Sequence, residues 1–171
     1  MVEIEVKVRV DDLDSVRGRL LALGAKILQE RHGEENTLYD LPGRPLTARR
    51  EAFRVRRVGR KTFLTFKGAP QKSRRFKIRT EHETEVRNGK AFVRILRALG
   101  FAPVFRYAKH RTVLGLGTLK VCLDETVIGP FVEFEGEREK IVRLARTLGF
   151  PQASWIRKDY VQLLLEAGRQ G

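Results

Sequence analysis

The sequence has few of the residues on which disulfide scaffolds and membrane spans depend. Its 171 residues include a single cysteine, Cys122, so an internal disulfide is excluded and a reducing compartment is favoured. No apolar run is long enough for a transmembrane helix, and no basic and apolar leader precedes the first strand-like segment. The composition therefore predicts a cytoplasmic protein without a membrane partner, forming one domain over residues 1–171.

Several familiar catalytic motifs are also missing. The chain has neither a GxxxxGK[ST] phosphate loop nor a GxGxxG dinucleotide-binding pattern, and no Ser/His/Asp arrangement stands out. His32, His82 and His110 lack metal-ligand spacing with one another or with Cys122. Solvated or packed histidines are the better interpretation, so the chemistry has to come from carboxylates and basic side chains.

Acidic residues are scarce relative to basic ones. The chain has 35 Lys+Arg against 21 Asp+Glu, a formal net charge of +14. Such an excess favours a polyanionic partner, namely a nucleotide, a polyphosphate or a nucleic acid. A heavily charged surface of the thermophile kind would give the same totals. The pattern of the charges along the chain has to decide between these interpretations.

The charges follow a two-residue period in many segments. The first segment, EIEVKV, puts Glu3, Glu5 and Lys7 on one face of a strand and apolar residues on the other. The same alternation recurs in AFRVRR, TFLTFKG, FKIRTEHETEV, YAKHRTVL, TLKVCLDE and PFVEFEGE, and more weakly over residues 36–40. The pattern predicts a set of strands that each have one charged face and one apolar face.

Helical patterns separate these strands. They predict helices over Asp11–Gly24, about Gly89–Leu99 and about Glu137–Leu148, and a last helix with Ser154 as its N-cap. The first three end in Leu-Gly, and glycine just past a helix takes the left-handed cap conformation at low cost. Three times a Glu-x-Glu strand leads into such a helix, which suggests a weak internal repeat, although three short matches can also arise by chance.

Two architectures satisfy strands of this kind. The apolar faces can form a core while the charged faces meet water, or the sheet can close into a barrel with the charges inside and helices outside. Buried charges are tolerable only if they pair or bind ions. The residues alone leave both architectures open, but a lumen that holds a polyphosphate and divalent cations would meet this condition.

A charged face of this composition suits phosphate chemistry. Arg and Lys donate to phosphate oxygens, whereas carboxylates need a divalent ion between themselves and a phosphate. Attack by water would hydrolyse a triphosphate, and attack by a ribose hydroxyl would cyclise it. Two other classes compete: a nucleic-acid binder and a polyphosphate-binding module without turnover. Nucleic acid is the disfavoured partner, because the acid pairs would repel its backbone and no aromatic-rich stacking motif is present.

The same segments resemble the CYTH superfamily, the triphosphate tunnel metalloenzymes, in the family's order. EIEVKV resembles the ExExK signature, and KDYVQLL resembles the C-terminal K-S-Y-x-x-L-L helix. Between them TLYD, FRVR, LTFKG, RTEHETEV, KHR, and CLDE with IGPFVEFEGE resemble successive family strands. The length, TLYD and KDYVQLL are most similar to the class IV adenylyl cyclase branch, from which Leu38 and Asp159 depart.

The resemblance implies an α+β fold: a closed antiparallel β-barrel of about eight strands that forms a charged tunnel, with helices outside. It implies a small-molecule triphosphate as partner, Mg²⁺ or Mn²⁺ as cofactor, and a monomer or homodimer. By matching position, the implied metal ligands are Glu3, Glu5, Asp124, Glu133 and Glu135. The implied phosphate binders are Lys7, Arg54, Arg56, Lys67, Arg79, Lys109 and Arg111. Lys7, Glu81 and Glu83 are the implied catalytic residues, the two glutamates ligating metal or positioning the attacking oxygen.

The reaction has two forms under this resemblance. The class IV branch implies conversion of ATP to cAMP and pyrophosphate. The alternative is hydrolysis of tripolyphosphate, a nucleoside triphosphate or thiamine triphosphate. The basic loop over residues 68–75 is either a lid over substrate or a solvated hairpin.

Overall fold

Eight antiparallel strands form a closed barrel in the computed structural model, which describes residues 1–168. The strands are β1 (Val2–Arg9), β2 (Lys26–Asp40), β3 (Ala52–Val58), β4 (Lys61–Lys67), β5 (Lys77–Val86), β6 (Ala102–Leu116), β7 (Leu119–Thr126) and β8 (Gly129–Glu135). Their order around the barrel is β1-β5-β4-β3-β2-β6-β7-β8. The helices are α1 (Leu13–Ala22), α2 (Pro45–Ala48), α3 (Gly89–Ala98), α4 (Arg138–Thr147) and α5 (Tyr160–Gly168). The predicted α+β barrel with helices outside is confirmed.

The described chain divides into two compact units. Unit 1 comprises residues 1–2, 33–71 and 79–108, and unit 2 comprises residues 3–32, 72–78 and those from 109 onwards. Each unit has its own hydrophobic core and its own charged strand face. The single domain over residues 1–171 therefore stays a prediction.

The core of unit 2 joins the apolar faces of its strands to α1 and α4. Val6, Val121 and Phe134 come from three strands at alternate positions, whereas Leu20 and Ile141 come from the helices. All five are almost completely buried, and each such side chain contributes about 1.5–3 kcal/mol through the area it removes from water. The apolar side chains at alternate strand positions and those along one side of each helix therefore pack together in one core.

A smaller core holds α3 against the strands of unit 1. Tyr39, Val55 and Leu96 are its buried members. Phe53 packs edge-to-face on Phe101 with ring centroids 5.7 Å apart, a geometry that aromatic rings favour. This core fixes the face of β3 that carries Val55, and so directs the alternate residues of the strand to the opposite face.

The three predicted Leu-Gly helix ends are confirmed. Gly24, Gly100 and Gly149 follow α1, α3 and α4 with φ values of +88°, +88° and +71°. A side chain at these angles would be strained, whereas glycine is not. At the other end of α1, the Asp12 carboxylate accepts hydrogen bonds from the backbone N–H groups of Asp14 and Ser15.

The predicted start of the last helix is wrong. Ser154 ends a 3₁₀ turn over Gln152–Ser154, and α5 begins only at Tyr160. The cap is Asp159, whose Oδ1 accepts a hydrogen bond of 2.9 Å from the N–H of Gln162. Aspartate and serine are both good N-caps, so the departure of Asp159 from the K-S-Y pattern preserves the helix start.

Two strands are longer than the sequence pattern predicts. β2 begins at Lys26 rather than near residue 36, and β6 begins at Ala102. The added residues at the start of β2 are mostly exposed on both faces, so they lack the alternation that reveals a half-buried strand. No helix within residues 1–168 is both long enough and apolar enough to cross a membrane.

We predict that Gly89→Ala destabilises the protein by about 1–3 kcal/mol, the usual cost of overpacking. A Cβ at Gly89 would lie 2.2 Å from Oγ1 and 2.8 Å from Cβ of Thr62, so the start of α3 would have to move away from β4. The measurement is the free energy of unfolding in urea.

Gly18→Ala is the matched control, because it makes the same change inside α1 where a Cβ meets no atom within 4 Å. It should stabilise the protein by about 0.5–1 kcal/mol. Equal effects of the two substitutions would contradict a packing role for Gly89.

Candidate functional site

The charged faces of the unit 2 strands are buried, with opposite charges placed across from one another. In the β-ladder, Lys7 lies opposite Glu133, and Arg111 lies opposite Asp124. Lys7 is 1% exposed and Asp124 is 0% exposed. The architecture in which these charges meet water is therefore excluded, and the charged faces point to the side away from α1 and α4, whose residues pack on the apolar faces.

Asp124 is the centre of the unit 2 cluster. Arg111 binds it in bidentate fashion, with both N–O distances 2.6 Å, and Lys109 Nζ lies 3.1 Å from Oδ2. The phenol of Tyr160 donates a further hydrogen bond of 2.6 Å to Oδ2. Burial favours the protonated acid, but Arg111 and then Lys109 outweigh it and hold the pKa of Asp124 below its usual value.

Glu133 links a second strand pair to the same cluster. Lys7 Nζ lies 2.9 Å from its Oε2, and Arg111 Nη2 lies 2.9 Å from its Oε1. Burial opposes ionisation, yet Lys7 and then Arg111 hold the pKa of Glu133 well below its usual value. In return, Glu133 and Glu5 raise the pKa of Lys7 against the effect of its burial. Asp124 and Glu133 are thus ionised partners of Arg111 and Lys7.

Two members of this cluster were not predicted. Tyr160 lies below both ammonium groups, with Lys7 Nζ 4.9 Å and Lys109 Nζ 4.5 Å from its ring centroid. Lys77 Nζ lies 2.7 Å from Oε1 of Glu5. The tyrosine of the KDYVQLL segment could have been found as a motif position. Lys77 could have been found from the alternation of FKIRTEHETEV, because it lies two residues before Arg79 and shares its face.

Three carboxylates of unit 2 form a set that could hold a metal ion. Oxygen atoms of Glu3, Glu5 and Glu135 lie within 4.8 Å of one another. Glu5 lies directly opposite Glu135, an arrangement that repels without a cation. Burial raises the pKa of Glu135, a shift that Lys120 opposes and Glu133 increases. Oxygen-only ligands fit Mg²⁺ or Mn²⁺.

A second set shares Glu135 but fits a hard cation less well. It consists of Cys122, Glu133 and Glu135, again with ligand atoms within 4.8 Å. Burial raises the pKa of the Cys122 thiol far above its usual value, with the surrounding carboxylates adding to it. A protonated thiol is a poor ligand, so the all-carboxylate set is the better cation site. Neither set, as found among the described residues, includes Asp124.

Unit 1 has its own charged cluster on β3, β4 and β5. Arg56 Nη2 lies 2.8 Å from Oε1 of Glu83, and Arg56 Nη1 lies 3.4 Å from Oε1 of Glu34. Thr65 donates a hydrogen bond of 2.6 Å to the other oxygen of Glu83. The carboxylate of Glu83 is thereby fixed in one orientation on the charged face of β5.

The remaining predicted residues of unit 1 join the same face. Arg54 donates to Oγ1 of Thr65 at 3.1 Å, and Lys67 Nζ lies 2.6 Å from Oε2 of Glu81. Arg79 donates to the backbone carbonyl of Arg50, whose own φ is +60°. Within residues 1–168 the buried Nε groups of Arg54 and Arg56 have no hydrogen-bond partner. These two N–H groups are donors that an anion can use.

The comparison with protein families gives one match over most of the chain. The CYTH domain model matches residues 1–154. The match includes every predicted site residue and stops short of Tyr160, which completes the unit 2 cluster.

Individual proteins are similar over nearly the whole chain. A Methanocaldococcus jannaschii protein named "putative adenylate cyclase" is 27% identical, covering 95% of this chain and 98% of its own. The crystal structure of a Vibrio parahaemolyticus "putative adenylate cyclase" superposes with a TM-score of 0.86 at 22% identity, covering 96% and 98%. A Hippeastrum protein, described as a "putative adenylyl cyclase" with a dominant triphosphatase activity, has a TM-score of 0.70 at 18% identity, covering 96% of each chain.

We predict that Asp124→Asn destabilises the protein by about 3–5 kcal/mol, because breaking a buried ion pair leaves its partners uncompensated. The partners here are Arg111 and Lys109, which are 6% and 5% exposed. The free energy of unfolding at neutral pH is the quantity to measure.

Glu125→Gln is the control on the adjacent residue. Glu125 pairs with Arg31 at 2.8 Å, but both side chains are about half exposed, so its loss should cost less than about 1 kcal/mol. A similar loss for both variants would contradict the importance of burial at Asp124.

We also predict an acid limit to stability. Asp124 and Glu133 have pKa values below those of the unfolded chain, so their contribution is full above the unfolded pKa, about 4, and is lost as pH falls through the folded pKa. Unfolding free energies measured at intervals below about pH 4 should fall steeply. In Asp124→Asn the fall should be shallower, and an unchanged slope would contradict the assignment.

Proposed function

Because the chain belongs to the CYTH domain family, we propose that it is an enzyme that binds a small-molecule triphosphate and processes it with a divalent cation. One observation carries the proposal: an all-carboxylate set lies on the same charged face as buried cations of unit 2. Carboxylates attract the metal ion and the cations attract phosphate, so both parts of a metal–triphosphate complex have partners. The reaction is proposed from the family and the named relatives.

Phosphate binding falls to the basic residues of the charged faces. In unit 2 the proposed phosphate binders are Lys7, Lys109 and Arg111, each of which already pairs with a carboxylate. In unit 1 they are Arg54, Arg56, Lys67 and Arg79. The unpartnered Nε groups of Arg54 and Arg56 support this role, since a phosphate oxygen can accept from them without displacing a carboxylate.

The acidic residues take two proposed roles. Glu3, Glu5 and Glu135 would hold the metal ion, with Asp124 and Glu133 as the further ligands that the family pattern suggests. A bound Mg²⁺ or Mn²⁺ neutralises phosphate charge and makes an oxygen nucleophile more reactive. Glu83, oriented by Thr65 and Arg56, and Glu81, paired with Lys67, are proposed to position the attacking oxygen.

Cyclisation of ATP to cAMP and pyrophosphate is the proposed reaction. The name of the Methanocaldococcus relative supports it, together with the similarity of TLYD and KDYVQLL to the class IV branch. Hydrolysis of a triphosphate is the second candidate, and the dominant triphosphatase activity of the Hippeastrum protein favours it. The proposed contacts of the charged faces are to the phosphate groups of the substrate, so they do not distinguish the two reactions.

One experiment separates the reactions. The purified protein is incubated with Mg²⁺ or Mn²⁺ and with ATP, tripolyphosphate or thiamine triphosphate in turn, and the products are resolved by anion exchange. cAMP with pyrophosphate supports the cyclase, and orthophosphate supports the hydrolase. Absence of turnover with tight tripolyphosphate binding would leave a binding module.

We predict that Glu3→Gln and Glu5→Gln each lower metal-dependent turnover at least about 100-fold. The reason is that loss of a charged ligand weakens binding of the metal ion that the reaction requires. Mn²⁺ binding, followed by electron paramagnetic resonance, should weaken in parallel, and circular dichroism should show a folded protein.

Glu30→Gln is the matched control. Glu30 is an exposed glutamate of the same unit, 3.4 Å from Arg17, and its substitution should leave both turnover and Mn²⁺ binding unchanged. Full activity of Glu3→Gln and Glu5→Gln would overturn the assignment of the metal site.

Three related predictions accompany the proposal. The protein is expected in the cytoplasm, as a monomer or a homodimer, and the loop over residues 68–75 is expected to close over substrate or to stay a solvated hairpin. Within unit 2 the end of that loop is held by Ser73, whose hydroxyl accepts a hydrogen bond of 3.1 Å from the N–H of Phe76.

A further inference from the structure

The outer face of unit 1 carries a groove that the charged clusters do not use. Its volume is about 1090 Å³, and it is lined by α3 and by residues of β2, β3 and the first half of β6. Tyr39 and Val55, both buried in the core of unit 1, contribute to the lining. Since Val55 alternates with Arg54 and Arg56 along β3, the groove lies on the side of the strand opposite the charged face.

The lining of this groove is strongly basic. Seven Arg and Lys side chains line it against one carboxylate, Glu35, which pairs with Arg57 at 3.3 Å. The other six are exposed and, within residues 1–168, none of them makes an ion pair. They are Arg60, Arg87, Lys90, Arg94, Arg97 and Arg106. A concave surface with uncompensated charge of one sign concentrates its field on a ligand of the opposite sign.

The spacing of these charges suits a chain of phosphates rather than a single anion. Lys90, Arg94 and Arg97 follow one side of α3 at positions i, i+4 and i+7. With a rise of 1.5 Å per residue, this row is about 10 Å long. One phosphate group cannot contact the whole row, whereas a polynucleotide strand offers a phosphate about every 3.4 Å along a helix axis.

A membrane surface does not fit the same helix. The exposed apolar residues of α3 and its C-cap, Ile95 and Leu99, are 54% and 65% exposed. At 100° per residue they lie about 140° and 180° around the helix from Lys90, on the flank away from the basic row. Neither residue lines the groove, and none of the other large exposed apolar residues described does, so the groove offers no apolar surface that could enter lipid beside its cations.

The groove also lacks the means to read bases by stacking. Its aromatic lining residues are Tyr39 and Tyr107, and neither is exposed. Guanidinium groups remain, and these bind phosphate oxygens.

We propose that this groove binds nucleic acid through the phosphate backbone, independently of base sequence. The acid pairs that argue against nucleic acid do not reach it, because Glu81 and Glu83 pair with Lys67 and Arg56 on the charged face.

Fluorescence anisotropy tests the proposal with a labelled oligonucleotide of about 20 nucleotides, single-stranded and as a duplex, each ending in a 5′-hydroxyl. We expect a dissociation constant between about 10⁻⁴ and 10⁻⁶ M at physiological salt, with a strong salt dependence. Arg94→Gln/Arg97→Gln should weaken binding about tenfold and reduce the slope of log K against log[salt] by about one unit per lost phosphate contact. Arg60→Gln/Arg106→Gln, which changes no helix residue, should do the same.

Arg138→Gln/Arg143→Gln is the matched control, because it removes the same charge from exposed positions of α4 in unit 2. It should leave binding within about twofold of the unchanged protein.

Three results would overturn the proposal: dissociation constants above about 10⁻⁴ M for both oligonucleotides, equal losses in groove and control variants, or binding of inorganic polyphosphate alone. Because the probe carries no triphosphate, failure of triphosphate turnover would not affect this experiment, and the groove variants should keep wild-type turnover.

Discussion

The structure of unit 2 depends on the compensation of buried charge around Asp124. This carboxylate is completely buried and ionised, and two cations and a phenol satisfy its oxygens. Arg111 extends the network to Glu133, and Glu133 extends it to Lys7. Charges on four strands are therefore stable only in one another's presence. The network also determines which ligands the charged face can bind. A cation is favoured where carboxylates lie opposite each other, and an anion is favoured where basic side chains outnumber acidic ones.

The strands could be predicted because their alternation is a local property of the sequence. Residues two apart share a face whatever the rest of the chain does, so the charged face of EIEVKV follows from the residues alone. Whether that face points to solvent or to the inside of a barrel does not follow from the residues, because a half-solvated sheet and a closed barrel have the same alternation. Burial of Lys7 decides between them, and it results from contacts with distant segments. The start of β2 and the cap of α5 were missed or misplaced because exposed strand residues and competing cap residues carry weak local signals.

The site residues that alternate along strands could be predicted from the sequence. The sequence placed Glu5 and Glu135 on charged faces, but their direct apposition follows from the strand register, which no local pattern contains. Lys77 and Glu5 are 72 residues apart, and Tyr160 and Asp124 are 36 residues apart. Contacts at such separations arise from topology, so a single sequence can show which face a residue such as Lys77 shares but conceals the partner that it meets there. The basic groove is a similar case, since α3 and β3 supply its charges from segments more than 30 residues apart.

The position of Tyr160 has a consequence for how the protein comes to be folded in the cell. The residues that contact its ring and its hydroxyl, which are Lys7, Lys109 and Asp124, leave the ribosome before it does. Until α5 emerges, the nascent chain contains the whole region matched by the family yet lacks one of the groups that satisfy its most buried carboxylate. The network of unit 2 is thus completed by its last described helix, and folding during synthesis has to wait for Tyr160 to emerge before unit 2 reaches its final stability.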